Sequence, residues 1–209
     1  MQNPDNLPSE GNADKKDANS FYMMFAGSAL LLGSAFGLAA FFSVSLSDHL
    51  GMSVENTVIG IFAVLPLALF LWWFVSTPIP SVRAFRDSQI IFFANLGFKL
   101  TPIRIVMISL AAGISEELLF RGVMQTVLYS VLPFALAVIL PNIIFGALHM
   151  RTILYAVIAG VVGIYLGVVF AITGSLLSVI VCHAVYDVIA LDYTRHAIER
   201  LEQHESEQV

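Results

Sequence analysis

Residues 153–172 read ILYAVIAGVVGIYLGVVFAI, twenty consecutive positions without one charged side chain. As a helix this stretch rises about 30 Å, the thickness of a bilayer's hydrocarbon core. Five further apolar stretches flank it, at 21–45, 57–75, 103–129, 133–149 and 175–191. The chain has 209 residues, of which 58% are apolar and 12% charged, and its mean hydropathy is +0.84. Six of the 25 charges fall in residues 1–20 and six in 193–209, so the 172 residues between hold only 13. A soluble domain carries about 25% charged residues to cover its surface in water. The middle of this chain has too few for that role. The expected fold is all-α: a polytopic membrane helix bundle of about six transmembrane helices.

The expected organisation is a disordered polar tail at 1–20, one integral membrane domain at 21–192 and a charged tail at 193–209. Residues 76–102 mix arginines with phenylalanines, which predicts an interfacial or re-entrant segment more than a free loop. With both termini in the cytoplasm, nine of the ten Lys and Arg residues lie on the inner side, and the tenth, Arg121, lies inside a span. Basic residues accumulate on the cytoplasmic side of membranes, so this orientation, in a plasma (inner) membrane, is the expected one. No basic stripe suited to nucleic acid exists. The single Cys182 excludes an internal disulfide and reads as a small hydrophobe in the core. Helix contacts are expected at two GxxxG spacings, Gly33/Gly37 and Gly163/Gly167.

Ionisable groups in hydrocarbon are costly and face a protein interior or a water-filled cavity. The expected spans hold Glu116, Glu117, Arg121, His149, His183 and Asp187. Glu117 and Arg121 are four apart, share a helix face and can pair. Glu116 is about 100° round the helix and has no local counter-ion. His183 and Asp187 are again four apart. Glu116, His149, His183 and Asp187 thus come from three helices and can meet in one polar pocket. In such a pocket a carboxylate is suited to accept a proton from water. Each has a plainer reading: an ion pair that orients a helix, an interfacial histidine, a polar contact between helices.

Three motifs carry a resemblance. Ser115-Glu116-Glu117-Leu118-Leu119-Phe120-Arg121-Gly122 fits EExxxR, Phe145-Gly146-Ala147-Leu148-His149 fits FxxxH, and His183-Ala184-Val185-Tyr186-Asp187 fits HxxxN or HxxxD. In order and on separate apolar stretches, they resemble the CAAX protease and bacteriocin-processing (CPBP, or Abi) family across a catalytic core of about 101–192. The resemblance implies a glutamate-type intramembrane endopeptidase, related to the CAAX prenyl endopeptidases, that cuts a peptide near a membrane-embedded or lipidated segment. It implies Glu116 as the base that activates water, helped by His149, with His183 and Asp187 stabilising the oxyanion and Glu117 and Arg121 holding the site together; Phe145 supports it. The eukaryotic members usually carry Asn where this chain has Asp187. An ionised Asp cannot donate to an oxyanion, so orienting His183 is the role expected for it. No cofactor is implied, and the implied partners are a membrane-associated peptide or protein substrate and the bilayer. Two alternatives stand beside this one: a zinc protease using Glu116, His149 and His183, and a non-catalytic scaffold, immunity protein or transporter with a polar core.

One tension remains within the sequence. Glu116 lies about 18 Å along its helix from Arg104, whereas His149 is two residues from Arg151 and so near the inner surface. They meet only if the third span starts well inside the cytoplasm or if Pro141 bends the fourth.

Overall fold

The computed structural model describes residues 10–207. These form seven helices: α1 (Glu10–Phe41), α2 (Val54–Ser76), α3 (Pro80–Ala94), α4 (102–129), α5 (Phe134–Leu148), α6 (Ile153–Thr173) and α7 (Leu176–Ser206). A 3₁₀ turn at Leu46–His49 follows α1. Every stretch expected to span the membrane coincides with a helix, and the segment 76–102 supplies α3. Residues 10–20 and 193–206, expected as tails, continue the first and last helices; 1–9 and 208–209 lie outside the described residues. The extensions have local causes. The Asp17 carboxylate bonds the Arg104 guanidinium and the Lys99 backbone N–H, which clasps the start of α1 to the start of α4. Arg195 bridges Asp192 and Glu199 at helical spacing and so carries α7 onward.

Capping explains where several helices begin. The side chains of Ser53, Thr101 and Thr152 accept from the backbone N–H groups of Asn56, Arg104 and Tyr155, satisfying donors that a helix start leaves free. Proline at the first position of α3 and of α4 fits the same logic. Helix α6 ends at Gly174 in the left-handed region (φ 64°), a conformation glycine adopts without steric cost.

Four helices are long and apolar enough to cross a membrane: Asp17–Phe41, Val54–Ser76, Ile153–Thr173 and Leu176–His204. Of the other three, α3 is not expected to span, and α4 and α5 fall short for different reasons. Helix α5 has 15 residues, about 22 Å of rise against a hydrocarbon core of about 30 Å. Helix α4 carries Arg104, Glu116, Glu117 and Arg121. The lipid-facing surface is explicit: Ile153, Val157 and Val161 form one exposed stripe on α6, and Phe62, Leu65, Leu69 and Trp72 form another on α2. Such patches would be a liability in water; in a bilayer they are the solvated surface. The chain is an integral membrane protein.

Helix α7 is the central column, with α2 and α4 packed along it, while α5 pairs with α6 and α1 leans on α4. Small residues set these approaches. A Cβ on Gly60 would lie 2.5 Å from the Ser178 carbonyl oxygen, and one on Gly146 would lie 2.5 Å from that of Ala156. The two expected GxxxG contacts divide. Gly163 and Gly167 press against Asn142 and Gln125, but a Cβ on Gly33 or Gly37 would meet nothing within 4 Å. The Gly33/Gly37 pair is therefore not a helix contact; α1 meets its neighbours on another face. Cys182 is buried among Val64, Leu67 and Leu166, as its apolar reading requires.

Candidate active site

The polar residues of α4, α5 and α7 converge. The heart is Arg121, fully buried and held on three sides. Its Nη1 donates to Glu117 Oε1 (2.9 Å), and its Nη2 donates to Asn142 Oδ1 (2.9 Å) and to the Gly163 carbonyl (2.6 Å). The predicted Glu117–Arg121 pair is thus present with no exposure of either side chain. A buried charge survives only when paired and hydrogen-bonded, and here one guanidinium draws acceptors from α4, α5 and α6. Residues Leu118–Gln125 of α4 are π-helical. That rare winding is frequent at functional sites, and it directly follows the two glutamates.

Glu117 Oε1 also takes a 2.7 Å bond from His183 Nδ1. This fixes the imidazole: with the Nδ1 proton committed to Glu117, Nε2 points the other way. Nε2 lies 3.5 Å from Asp187 Oδ2 and 3.9 Å from Glu116 Oε2. The orienting contact expected of Asp187 therefore belongs to Glu117. The reason is reach: Glu117 crosses from α4 straight onto the ring, whereas Asp187, on the same helix as His183, stops beside Nε2.

Glu116 shares only the His183 ring with Glu117 and meets it from the Nε2 side. Its Oε2 is buried without a hydrogen-bond partner, and its side chain keeps 14% exposure. It lines a cavity of about 210 Å³ between α1 and α4, whose other walls include Phe25, Gly27 and Ser28 of α1 and Ile108 and Ala112 of α4. Glu117 Oε2, Arg121 Nε and Gln125 Oε1 are also buried without a partner, but in the closed core.

His149 closes α5. Its Nδ1 lies 2.8 Å from the Phe145 carbonyl, which leaves Nε2 free to act. Its ring rests on Phe145 (4.4 Å between centroids), and Phe145 in turn touches the rings of Phe120 (5.0 Å) and His183 (6.4 Å) and carries Arg121 above its face. Phe145 thus spaces the two histidines. Through Phe145, His149 at the end of α5 shares a neighbourhood with His183 on α7.

Three contributors escaped the sequence reading. Asn142 is a buried amide that accepts from Arg121 and donates to the Val138 carbonyl, Gln125 is one that donates to the Gly167 carbonyl, and Tyr155 packs on His149 with ring centroids 6.3 Å apart. The available signal was spacing: Glu117, Arg121, Gln125 and Tyr129 recur every four residues. Among the described residues no three His, Cys, Asp or Glu side chains are grouped to hold a metal ion. Glu116, His149 and His183 therefore do not form the ligand set that the zinc alternative needs.

Residues 98–189 match the family model described as Type II CAAX prenyl endopeptidase Rce1-like. A search of curated proteins and one of solved structures gave no match. The matched stretch takes in Glu116, Glu117, Arg121, Phe145, His149, His183 and Asp187, while α1, α2 and α3 lie before it. This polar centre and the three helices that build it lie in the part of the chain that is similar to that family.

Proposed function

We propose that the protein is an intramembrane endopeptidase that hydrolyses a peptide bond close to a membrane-embedded or lipidated segment of its substrate. The observation that carries this reading is the contrast at Glu116: a carboxylate with a buried, unpaired oxygen on a cavity wall, 3.9 Å from His183 Nε2. A water beside it would attack the scissile carbonyl carbon while its proton passes to Glu116. The oxyanion that forms would accept from a protonated His183 Nε2. As the C–N bond breaks, Glu116 returns the proton to the leaving amine. His149, with Nε2 free, shares the positioning of water. Glu117 and Arg121 keep His183 in place, and Asp187 shapes the field at Nε2. The distribution of basic residues supports both termini in the cytoplasm of a plasma (inner) membrane.

The test compares peptide profiles of membranes holding the wild type and Glu116→Ala. Fragments dependent on the wild type should fall by roughly 10²–10⁴ in rate of appearance, while both proteins extract and elute alike. Fragments that form at the same rate with Glu116→Ala would remove the assignment.

A further inference from the structure

Tyr155, in the first turn of α6, carries a hydroxyl that the fold leaves unused. Other tyrosines of the bundle are engaged. Tyr165 donates to the Ala63 carbonyl at 2.7 Å, and the Tyr129 hydroxyl accepts from Gln125 at 2.7 Å. Tyr186 packs with the apolar cluster of Val64, Leu67 and Leu166. Tyr155 bonds Thr152 Oγ1 through its backbone N–H (3.1 Å), but its hydroxyl has no hydrogen-bond partner among the described residues. A tyrosine hydroxyl withdrawn from water normally finds a partner, so an idle one calls for a reason. The ring itself is well held: it packs on His149 with centroids 6.3 Å apart and on Phe85 of α3 at 6.5 Å.

The surroundings say what the hydroxyl can do. It lies within electrostatic reach of Asp187 of α7, Glu116 of α4 and Arg151 of the α5–α6 link together, so it shares the neighbourhood of the reacting groups. That neighbourhood is short of donors. When water adds to a scissile carbonyl its oxygen becomes an anion, and donors aimed at that oxygen lower the barrier. His183 Nε2, 3.9 Å from Glu116 Oε2 and 3.5 Å from Asp187 Oδ2, is one. An ionised Asp187 only accepts. His149 commits its Nδ1 proton to the Phe145 carbonyl at 2.8 Å, so Nε2 of the neutral ring also only accepts. Glu116 takes the proton of the attacking water. Arg151 turns to α3, where it donates to the Ser88 carbonyl and lies 4.5 Å over the Phe92 ring. A phenol carries no charge and keeps its proton far above neutral pH. Among these groups the Tyr155 hydroxyl is the neutral donor still free.

Resting on the endopeptidase reading above, we propose that the Tyr155 hydroxyl is a catalytic donor that, together with His183 Nε2, holds the oxyanion of the tetrahedral intermediate. The phenol keeps its proton throughout. Its hydrogen bond forms as the carbonyl oxygen becomes negative and is released when the C–N bond breaks. Two donors from two helices, α6 and α7, then bracket the oxygen, while Glu116 and His149 hold the water. Asp187 keeps its negative charge for the protonated His183, and the donor that it cannot supply comes from α6.

The experiment uses purified protein in nanodiscs and a fluorogenic peptide spanning a cut found by comparing wild-type with Glu116→Ala membranes. Tyr155→Phe keeps the ring on His149 and Phe85 and removes only the hydroxyl. It should lower kcat by roughly 10²-fold or more. KM should stay within about two-fold, because the bond is made only as the transition state forms. Asp187→Asn places an amide donor beside His183 Nε2, and in that background the loss from Tyr155→Phe should shrink to roughly 10-fold. A second measurement needs no turnover. A phosphinate analogue of the same peptide, with an anionic tetrahedral oxygen, should bind Tyr155→Phe roughly 10-fold or more weaker than the wild type. A methylene analogue lacking that oxygen should bind both proteins alike. A kcat for Tyr155→Phe within about threefold of wild type, a loss carried by KM, or a phosphinate bound equally by both would each overturn the proposal. An equal loss in the Asp187→Asn background would overturn it too and assign Tyr155 to packing on His149. Cleavage lost in Glu116→Ala but kept in Tyr155→Phe would remove only this donor and leave the endopeptidase reading standing; cleavage indifferent to Glu116→Ala would remove both.

Discussion

Glu116 and Glu117 adjoin in sequence, yet they belong to two regions with opposite designs. Glu117 lies in a closed core, fully buried, with Arg121 at 2.9 Å and His183 at 2.7 Å on the same oxygen. Glu116 stands on the wall of the α1/α4 cavity with no counter-ion of its own. One peptide bond separates a carboxylate whose charge is used up in holding helices from one whose oxygen is left without a hydrogen-bond partner on a cavity wall. The difference teaches that neighbouring carboxylates in an apolar bundle can be accommodated in two ways, one by a buried ion pair and one by facing a cavity. A single residue step, about 100° around the helix, is enough to divide the two.

The strongest way to break this comparison is to remove the cation of the closed core. Arg121→Met strips Glu117 of its ion pair and leaves the acceptors Asn142 Oδ1 and the Gly163 carbonyl without their donor. Breaking one half of a buried pair costs about 3–5 kcal/mol, and unfolding in mixed micelles should show a loss of that size. The double variant Arg121→Met/Glu117→Gln removes the stranded charge and should recover a substantial part. Glu116→Gln, by contrast, should leave stability within about 0.5 kcal/mol of the wild type. A loss for Glu116→Gln comparable to that of Arg121→Met would mean that both carboxylates are structural.

Much of this centre was legible because charge in hydrocarbon is rare. The apolar stretches located six of the seven helices, and the 3.6-residue period separated Glu116 from Glu117 before any coordinates. Three things were not legible. Asp187 and Glu117 are 70 positions apart in sequence, and only the crossing of α4 on α7 decides which of them reaches Nδ1 of His183. Asn142 and Gln125 carry no charge, so a count of charges passes over them although the first accepts from the fully buried Arg121 and the second ties α4 to Gly167 of α6. Finally, helicity at 10–20 and 193–206 depends on the Asp17–Arg104 clasp and the Arg195 bridges. Composition cannot show a clasp between residues 87 positions apart.

A second, smaller effect sharpens the division from the side of packing. A Cβ at Gly163 would clash with Asn142 Oδ1, the atom that accepts from Arg121, and would lie 3.2 Å from the Phe145 ring. Gly163→Ala should cost about 1–3 kcal/mol through overpacking. Because it pushes on Asn142, the cost should shrink in an Arg121→Met background, where Asn142 is free to move. Additive losses in that double variant would show that the glycine and the cation act independently.

The smallest effect belongs to the other GxxxG pair. Gly33 lies on α1, the helix that forms the far wall of the Glu116 cavity, and a Cβ there meets nothing within 4 Å. Alanine is the better helix former, by about 0.5–1 kcal/mol in soluble helices, so Gly33→Ala should be neutral or slightly stabilising in the same unfolding assay. The same chemical change would then have opposite signs at two glycines of identical spacing. The motif matters only where a neighbouring backbone or amide closes on it, and nothing in the bundle closes on this face of α1. A loss at Gly33 as large as that at Gly163 would mean that α1 packs against the bundle more tightly than this structure has it, and the cavity beside Glu116 would have to be smaller.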